Sequence, residues 1–121
     1  MNVVRAAAVQ MSPVLYSREA TVEKVVLQIH ELGQQGVQFA TFPETVVPYY
    51  PYFSFVQSPV QNIAGPEQRK LLDQAVTVPS PATEAIGDAA RRAGVSCPSA
   101  STSGTAEPCT TPSFCSMPTA L

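Results

Sequence analysis

Apolar positions along the first part of the chain keep two rhythms, one of strands and one of a helix. Val3 to Met11 is an almost unbroken apolar run with small residues at Ala6, Ala7 and Ala8, and it reads as a buried strand. Gln10, Met11, Ser12 and Pro13 then read as a loop. From Ser17 or Thr21 to Gln34, Val22, Val25, Val26, Ile29 and Leu32 recur at helical spacing, with Glu23, Lys24, Gln28 and Glu31 on the opposite face. Gly33 and Gly36 mark the end of this amphipathic helix. Val37 to Phe42 is a second short apolar strand, so the chain opens β-α-β. Such a crossover makes the two strands parallel neighbours, and their carboxyl ends face one crevice.

Beyond Phe42 the pattern becomes aromatic and proline-rich. Pro48 and Pro51 exclude a regular helix, so Tyr49, Tyr50, Tyr52, Phe53 and Phe55 are expected on a constrained loop. Pro66-Glu67 opens a short helix through Leu71, Leu72 and Ala75. A further helix from about Ala82 to Ala93 turns Ile86, Ala89, Ala90 and Ala93 inward and stops at Gly94. Val95 then begins what ought to be another core strand.

That strand is not continued, and composition changes at the same point. Residues 95–121 hold a single charged side chain, Glu107, together with four prolines and all three cysteines, whereas residues 1–94 carry the remaining charge and the periodic apolar pattern. Cys97, Cys109 and Cys115 include no CxxC pair, and the one histidine, His30, falls on the polar side of the first helix, so no metal centre is expected. At 121 residues, one domain with a modest core is expected. A net charge of −2 and a pI near 5.2 argue against a nucleic-acid surface, and no Lys/Arg cluster suggests an anionic membrane. The start lacks a signal-peptide core and no apolar span is long enough to cross a bilayer, so a cytoplasmic protein is expected.

The candidate chemistry lies at Phe42-Pro43-Glu44, which places a carboxylate just past the second strand, where open α/β sheets put their sites. Read from the residues alone, Glu44 is either a solvated loop acid or helix cap, or a group that handles protons. The neighbouring aromatics are either core packing or the wall of a substrate site.

Over residues 1–94 the chain resembles the nitrilase family of carbon-nitrogen hydrolases, which convert nitriles to carboxylic acids and ammonia. The resemblance is carried by Ala7-Ala8-Val9-Gln10, the helix end Gly33 to Gly36, Phe42-Pro43-Glu44-Thr45 and, above all, Pro48-Tyr49-Tyr50-Pro51-Tyr52. Phe-Pro-Glu occurs across amidases, carbamoylases and nitrilases, and the Tyr-Pro aromatic loop narrows the match to nitrilases. The resemblance implies an α/β fold of the α-β-β-α sandwich type, present here incompletely, and a Glu-Lys-Cys triad with no cofactor. It makes Glu44 the general base that takes a cysteine thiol proton, so that the thiolate attacks the nitrile carbon to form a thioimidate. Tyr50, Pro51 and Tyr52 become substrate-binding candidates. An apolar, aromatic-walled pocket would raise the carboxyl of Glu44 toward the range useful for proton transfer. The implied partner is a small-molecule nitrile, and the family forms homo-oligomers.

The family's lysine and nucleophilic cysteine find no counterpart. Lys24 and Lys70 lie in helices and match no family motif, and none of the three cysteines has the surroundings of a catalytic one. Residues 95–121 are expected to be the family's next strand and hairpin read out of frame after the loss of one nucleotide. Restoring the frame turns Cys97 into Leu, Met or Val, and lets Ser99 and Ser101 become apolar, which gives an alternating strand. The whole segment then permits VSIGVNERDGGTLYNTQLLFDADG without an insertion, ending in a hairpin turn. A polar, disordered natural tail accounts for the composition but not for that compatibility. The expected polypeptide is thus an inactive, aggregation-prone nitrilase fragment. The alternatives are a non-catalytic interaction fragment, or an amidase or carbamoylase of the same superfamily.

Overall fold

The computed structural model describes residues 3–97. Residues 98–121, with Cys109, Cys115 and the frame-restored hairpin, lie outside them. The element order is β1 (Ala6–Ala8), α1 (Arg18–Gln34), β2 (Phe39–Thr41), a 3-10 turn (Tyr52–Phe55), α2 (Pro59–Ala64), α3 (Pro66–Asp73) and α4 (Pro81–Ala93).

The β-α-β opening forms as the pattern predicts. β1 and β2 run parallel with Ala6 opposite Phe39, Ala7 opposite Ala40 and Ala8 opposite Thr41. The ladder is extended by Gln38 N–H to Arg5 O at 2.8 Å and Val9 N–H to Thr41 O at 2.8 Å. Past α4 the chain returns to the free side of β2: Ser96 bridges Phe39 in parallel. Ala40 N–H donates to Ser96 O at 2.9 Å, and Ser96 N–H to Gln38 O at 2.9 Å. The strand due at Val95 therefore starts where expected, and β2 is central.

Helices α1 and α4 lie side by side and share one core with the sheet. Ser17 caps α1, its side chain accepting from Ala20 N–H, and Glu19 sits in the first turn where the helix dipole favours an acid. The stripe Val22, Val25, Ile29 and Leu32 is buried with Val37, Ala40, Val46, Val47, Val76, Ala89 and Val95. Thr21 is buried too, because its hydroxyl is satisfied: Oγ1 accepts from Val14 N–H at 3.0 Å and lies 2.9 Å from the Ser17 carbonyl. At Gly33 a Cβ would stand 2.7 Å from that of Ala93 and 2.9 Å from its carbonyl oxygen, so glycine is what lets the two helices approach. Ser80 and Thr83 form a capping box at the start of α4, and Gly94, at φ 66°, ends it in the left-handed region.

Two expectations are corrected. The strands are three residues each rather than the full runs Val3 to Met11 and Val37 to Phe42, and Val3 remains 85% exposed. Among the described residues only the Ala7–Ala40 face is covered, by helices, and Ala6, Ala8, Phe39 and Thr41 lie on the other face, exposed. A strand that reads as wholly apolar is buried only where both faces of its sheet are covered. The second correction is local. The aromatic stretch is not all loop, since Pro51 starts the 3-10 turn, and α2 comes next with Ser58 and Gln61 as a capping box and Pro59 at its first position. Ser-Pro-x-Gln at residues 58–61 is a helix-start signal legible in the sequence, outweighed there by the aromatic and proline content.

Candidate functional site

Glu44 stands where β2 gives out. Val46 N–H donates to Pro43 O at 3.3 Å, closing a four-residue turn with Glu44 and Thr45 at its tip. Thr45 has φ 47°, a left-handed conformation that a β-branched residue adopts only when its surroundings impose it. The next four residues supply that constraint, because Val46, Val47, Pro48 and Tyr49 are all buried. The hydroxyl of Thr45 is buried and has no hydrogen-bond partner among the described residues. Backbone strain and an orphaned polar atom thus coincide beside the carboxylate that the sequence singles out.

The carboxylate itself is exposed and makes no hydrogen bond or ion pair among the described residues. The aromatic-walled enclosure expected around Glu44 is therefore not built by residues 3–97, and the open sheet face beside β2 is the physical reason. A groove of about 530 Å³ lies elsewhere, on the helix layer between α1 and the start of α4, lined by Val22, Val26, Val76, Ala82 and Ala85 among others.

The aromatic candidates divide. Tyr49 enters the core at 3% exposure, whereas Tyr50 is half-buried and Tyr52 is 69% exposed. Tyr50 stacks on Phe55 with centroids 6.1 Å apart and rings nearly parallel, and meets Tyr52 at 5.0 Å. Pro51, half-buried between them, starts the 3-10 turn. The structure so brings Tyr50, Pro51 and Tyr52 into one surface cluster, and no ring contact or hydrogen bond joins that cluster to Glu44. Twenty residues from Val46 to Gly65 contain no charged side chain.

The other reactive groups among the described residues lie away from Glu44's turn or are engaged. Lys24 Nζ donates to Ser12 O at 2.8 Å, and Lys70 Nζ pairs with Glu67 at 2.9 Å. Cys97 is half-buried and packs against the core next to the edge of β2. His30 is exposed on α1. Among the described residues no group of three His, Cys, Asp or Glu could hold a metal ion, and no helix is long and apolar enough to cross a membrane.

One cluster was not visible in sequence. Tyr16 Oη donates to Glu67 Oε2 at 2.9 Å, Lys70 Nζ lies 4.7 Å from the centre of the Tyr16 ring, and Tyr16 meets Tyr49 edge-on at 5.8 Å. Hydrogen bonds from Lys70 and then Tyr16 hold the Glu67 carboxyl below its ordinary 4.5. The same bond to Glu67 raises the Tyr16 phenol, and burial raises that of Tyr49. Only the Glu67-Lys70 spacing, three apart on a helix, hints at part of this arrangement.

The profile of the carbon-nitrogen hydrolase family matches residues 5–107. The chain is 77% identical over 95 residues to Nitrilase 3 from an unknown prokaryotic organism, a match covering 78% of this chain and 29% of that protein. It is 49% identical over 91 residues to a nitrilase of Paraburkholderia phymatum, covering 75% of this chain and 26% of the relative. To an aliphatic nitrilase of Rhodococcus rhodochrous it is 37% identical over 90 residues, covering 74% and 24%. The chain thus spans under a third of the length of these curated relatives. With the parallel β-α-β unit, the Phe-Pro-Glu turn and a profile match over most of its length, the chain belongs to the carbon-nitrogen hydrolase family.

Proposed function

We propose that this chain is the amino-terminal part of a nitrilase, carrying the general base Glu44 of a nitrile-hydrolysing site whose lysine and cysteine it does not supply. The observation that carries the reading is the 77% identity to a nitrilase across the segment that contains Phe42-Pro43-Glu44 and the aromatic loop. In the complete reaction a nitrile and two waters give a carboxylate and ammonium, with Glu44 accepting the thiol proton before a thioimidate forms. A carboxylate held on a constrained turn at the end of a central strand suits that task, since a base must meet its proton within about 3 Å. Tyr50, Pro51 and Tyr52 would wall the nitrile. The exposed Phe39 and Thr41 face would receive the second sheet of an α-β-β-α sandwich.

Residues 95–121 are read as the following strand and hairpin out of frame. The bridge at Ser96 is compatible with that reading, because the chain enters the next strand position at the very start of the segment. Sequencing the DNA across the codons for Gly94 to Cys97 tests it: one further base would restore the hairpin, and confirmation of the present frame would make the tail genuine.

The 121-residue chain is expected to release no ammonia from aliphatic or aryl nitriles. Turnover that disappears in Glu44→Ala would overturn this. In the frame-restored protein, Glu44→Gln should lower kcat by about 10²–10⁴-fold, the usual contribution of a general base. A second reading, a non-catalytic fragment that associates with an intact relative, is favoured by the exposed apolar side chains Phe55, Val56, Val60 and Ile63. Co-purification with the full-length protein would support it.

A further inference from the structure

We infer that Tyr16, Glu67 and Lys70 form a clamp in which Tyr16, held by the other two, anchors Tyr49 and so positions the turn presenting Glu44. The inference rests on the reading of Glu44 as the base and goes beyond it, since none of the three residues belongs to the Phe-Pro-Glu or Tyr-Pro motifs.

The clamp joins three segments far apart in sequence: the loop before α1, the buried stretch after Glu44, and α3. Glu67 is held from two sides, by Tyr16 Oη at 2.9 Å and Lys70 Nζ at 2.9 Å. Lys70 also lies over the Tyr16 ring, 4.7 Å from its centre, so the ring is fixed at its hydroxyl and across its face. That ring meets Tyr49 in a T-shaped contact, with centroids 5.8 Å apart and planes at 83°. Tyr16 has φ 62°, which a bulky residue adopts only where its neighbours impose it. Here Ser17 N–H donates to Val14 O, and Thr21 Oγ1 accepts from Val14 N–H, which pins the loop in place.

Tyr49 needs such an anchor. It is 3% exposed, yet its hydroxyl finds no hydrogen-bond partner among the described residues, so its position depends on ring contacts. From Tyr49 back to Val46 every residue is buried, and Val46 closes the turn onto Pro43. A packed segment of this length has no slack to absorb a shift. Displacing Tyr49 therefore displaces Glu44 and Thr45. A stabilising role alone fits poorly, because the ion pair of Glu67 and Lys70 is partly open to solvent and such pairs contribute little to folding.

Hydrogen exchange on the intact 121-residue chain tests the clamp, with the Val46 amide as reporter and the α1 amides of Val25 and Ile29 as reference. Glu67→Ala should speed exchange at Val46 about tenfold while α1 is unchanged, the signature of local opening. Glu67→Gln, which keeps an acceptor for Tyr16 Oη, should return the rate to within about threefold of the parent. Tyr16→Leu should behave as Glu67→Ala does. No change at Val46 in Glu67→Ala would overturn the inference. So would an equal rise at Val25 and Ile29, which would mean general loss of stability. Should Tyr16→Leu fail to fold, the two Glu67 variants on α3 decide alone. The readout involves no nitrile and no proton transfer to Glu44, so a failed clamp leaves Glu44 as the base, and a failed base leaves the clamp.

Discussion

Gly33 is placed by packing rather than by its freedom to turn. In a helix interior alanine is favoured over glycine by about 0.5–1 kcal/mol, yet here a methyl group would collide with the Cβ and carbonyl of Ala93. Gly33→Ala should therefore lower stability, by about 1–3 kcal/mol as overpacked sites do, and urea unfolding followed by circular dichroism would register it. The sequence reads Gly33 only as part of the helix end, and α1 does stop at Gln34 as the pattern predicts. Periodicity on one helix cannot reveal the neighbour that approaches it. Glu44 is the opposite case: its place after an apolar run is legible from local order alone, whereas its solvent exposure depends on which faces of the sheet are covered. Tyr49, grouped by composition with the other loop aromatics, proves to be the one that enters the core.

Among the elements, α4 matches its sequence signals most closely. A Ser80 cap, Pro81 in the first turn, Arg91 and Arg92 in the last and Gly94 at the stop each act on backbone groups within a few residues of themselves. Ser80→Ala should cost about 1 kcal/mol, the usual value of such a cap. Because α4 packs on α1, the loss should appear in the midpoint of the whole transition rather than as fraying alone; a thermal melt monitored at α1 amides checks this. The strands were less legible. An unbroken apolar run looks alike whether it pairs over a short stretch or a long one, and pairing length is set by the partner strand and by what covers each face. The 3-10 turn and α2 were obscured for another reason, namely that proline signals both helix starts and helix exclusion.

Taken together, residues 3–97 form a helix layer on one side of a parallel sheet, with Glu44 just past the end of β2 and an aromatic cluster at the surface. The tertiary contacts carry a pH dependence. Glu67 is held below 4.5 in the folded chain, so its contribution is complete above that value and is lost as pH falls through the lowered one. Lys70 is held above 10.5, so its contribution is complete below that value and lost as pH rises past the raised one. With no tryptophan and four tyrosines, the near-ultraviolet dichroism of the chain reports this region directly. Acidification below 4.5 should change that signal as Tyr16 and Tyr49 lose their anchor, and Glu67→Gln should remove this step while leaving other acid transitions. An identical acid profile in the two proteins would count against it.

Sequence by itself determined the parallel β-α-β opening, the helices at α1, α3 and α4, the stop of α4 at Gly94, the family resemblance and the singling out of Glu44. These depend on interactions within a few residues or on motifs read in line. Only the tertiary structure decided that Tyr49 and not Tyr50 is buried, that Gly33 serves a helix crossing, that one sheet face stands open beside Glu44, and that Tyr16, Glu67 and Lys70 meet. Each of those arises from contacts between residues distant in the chain, whose geometry no local periodicity encodes.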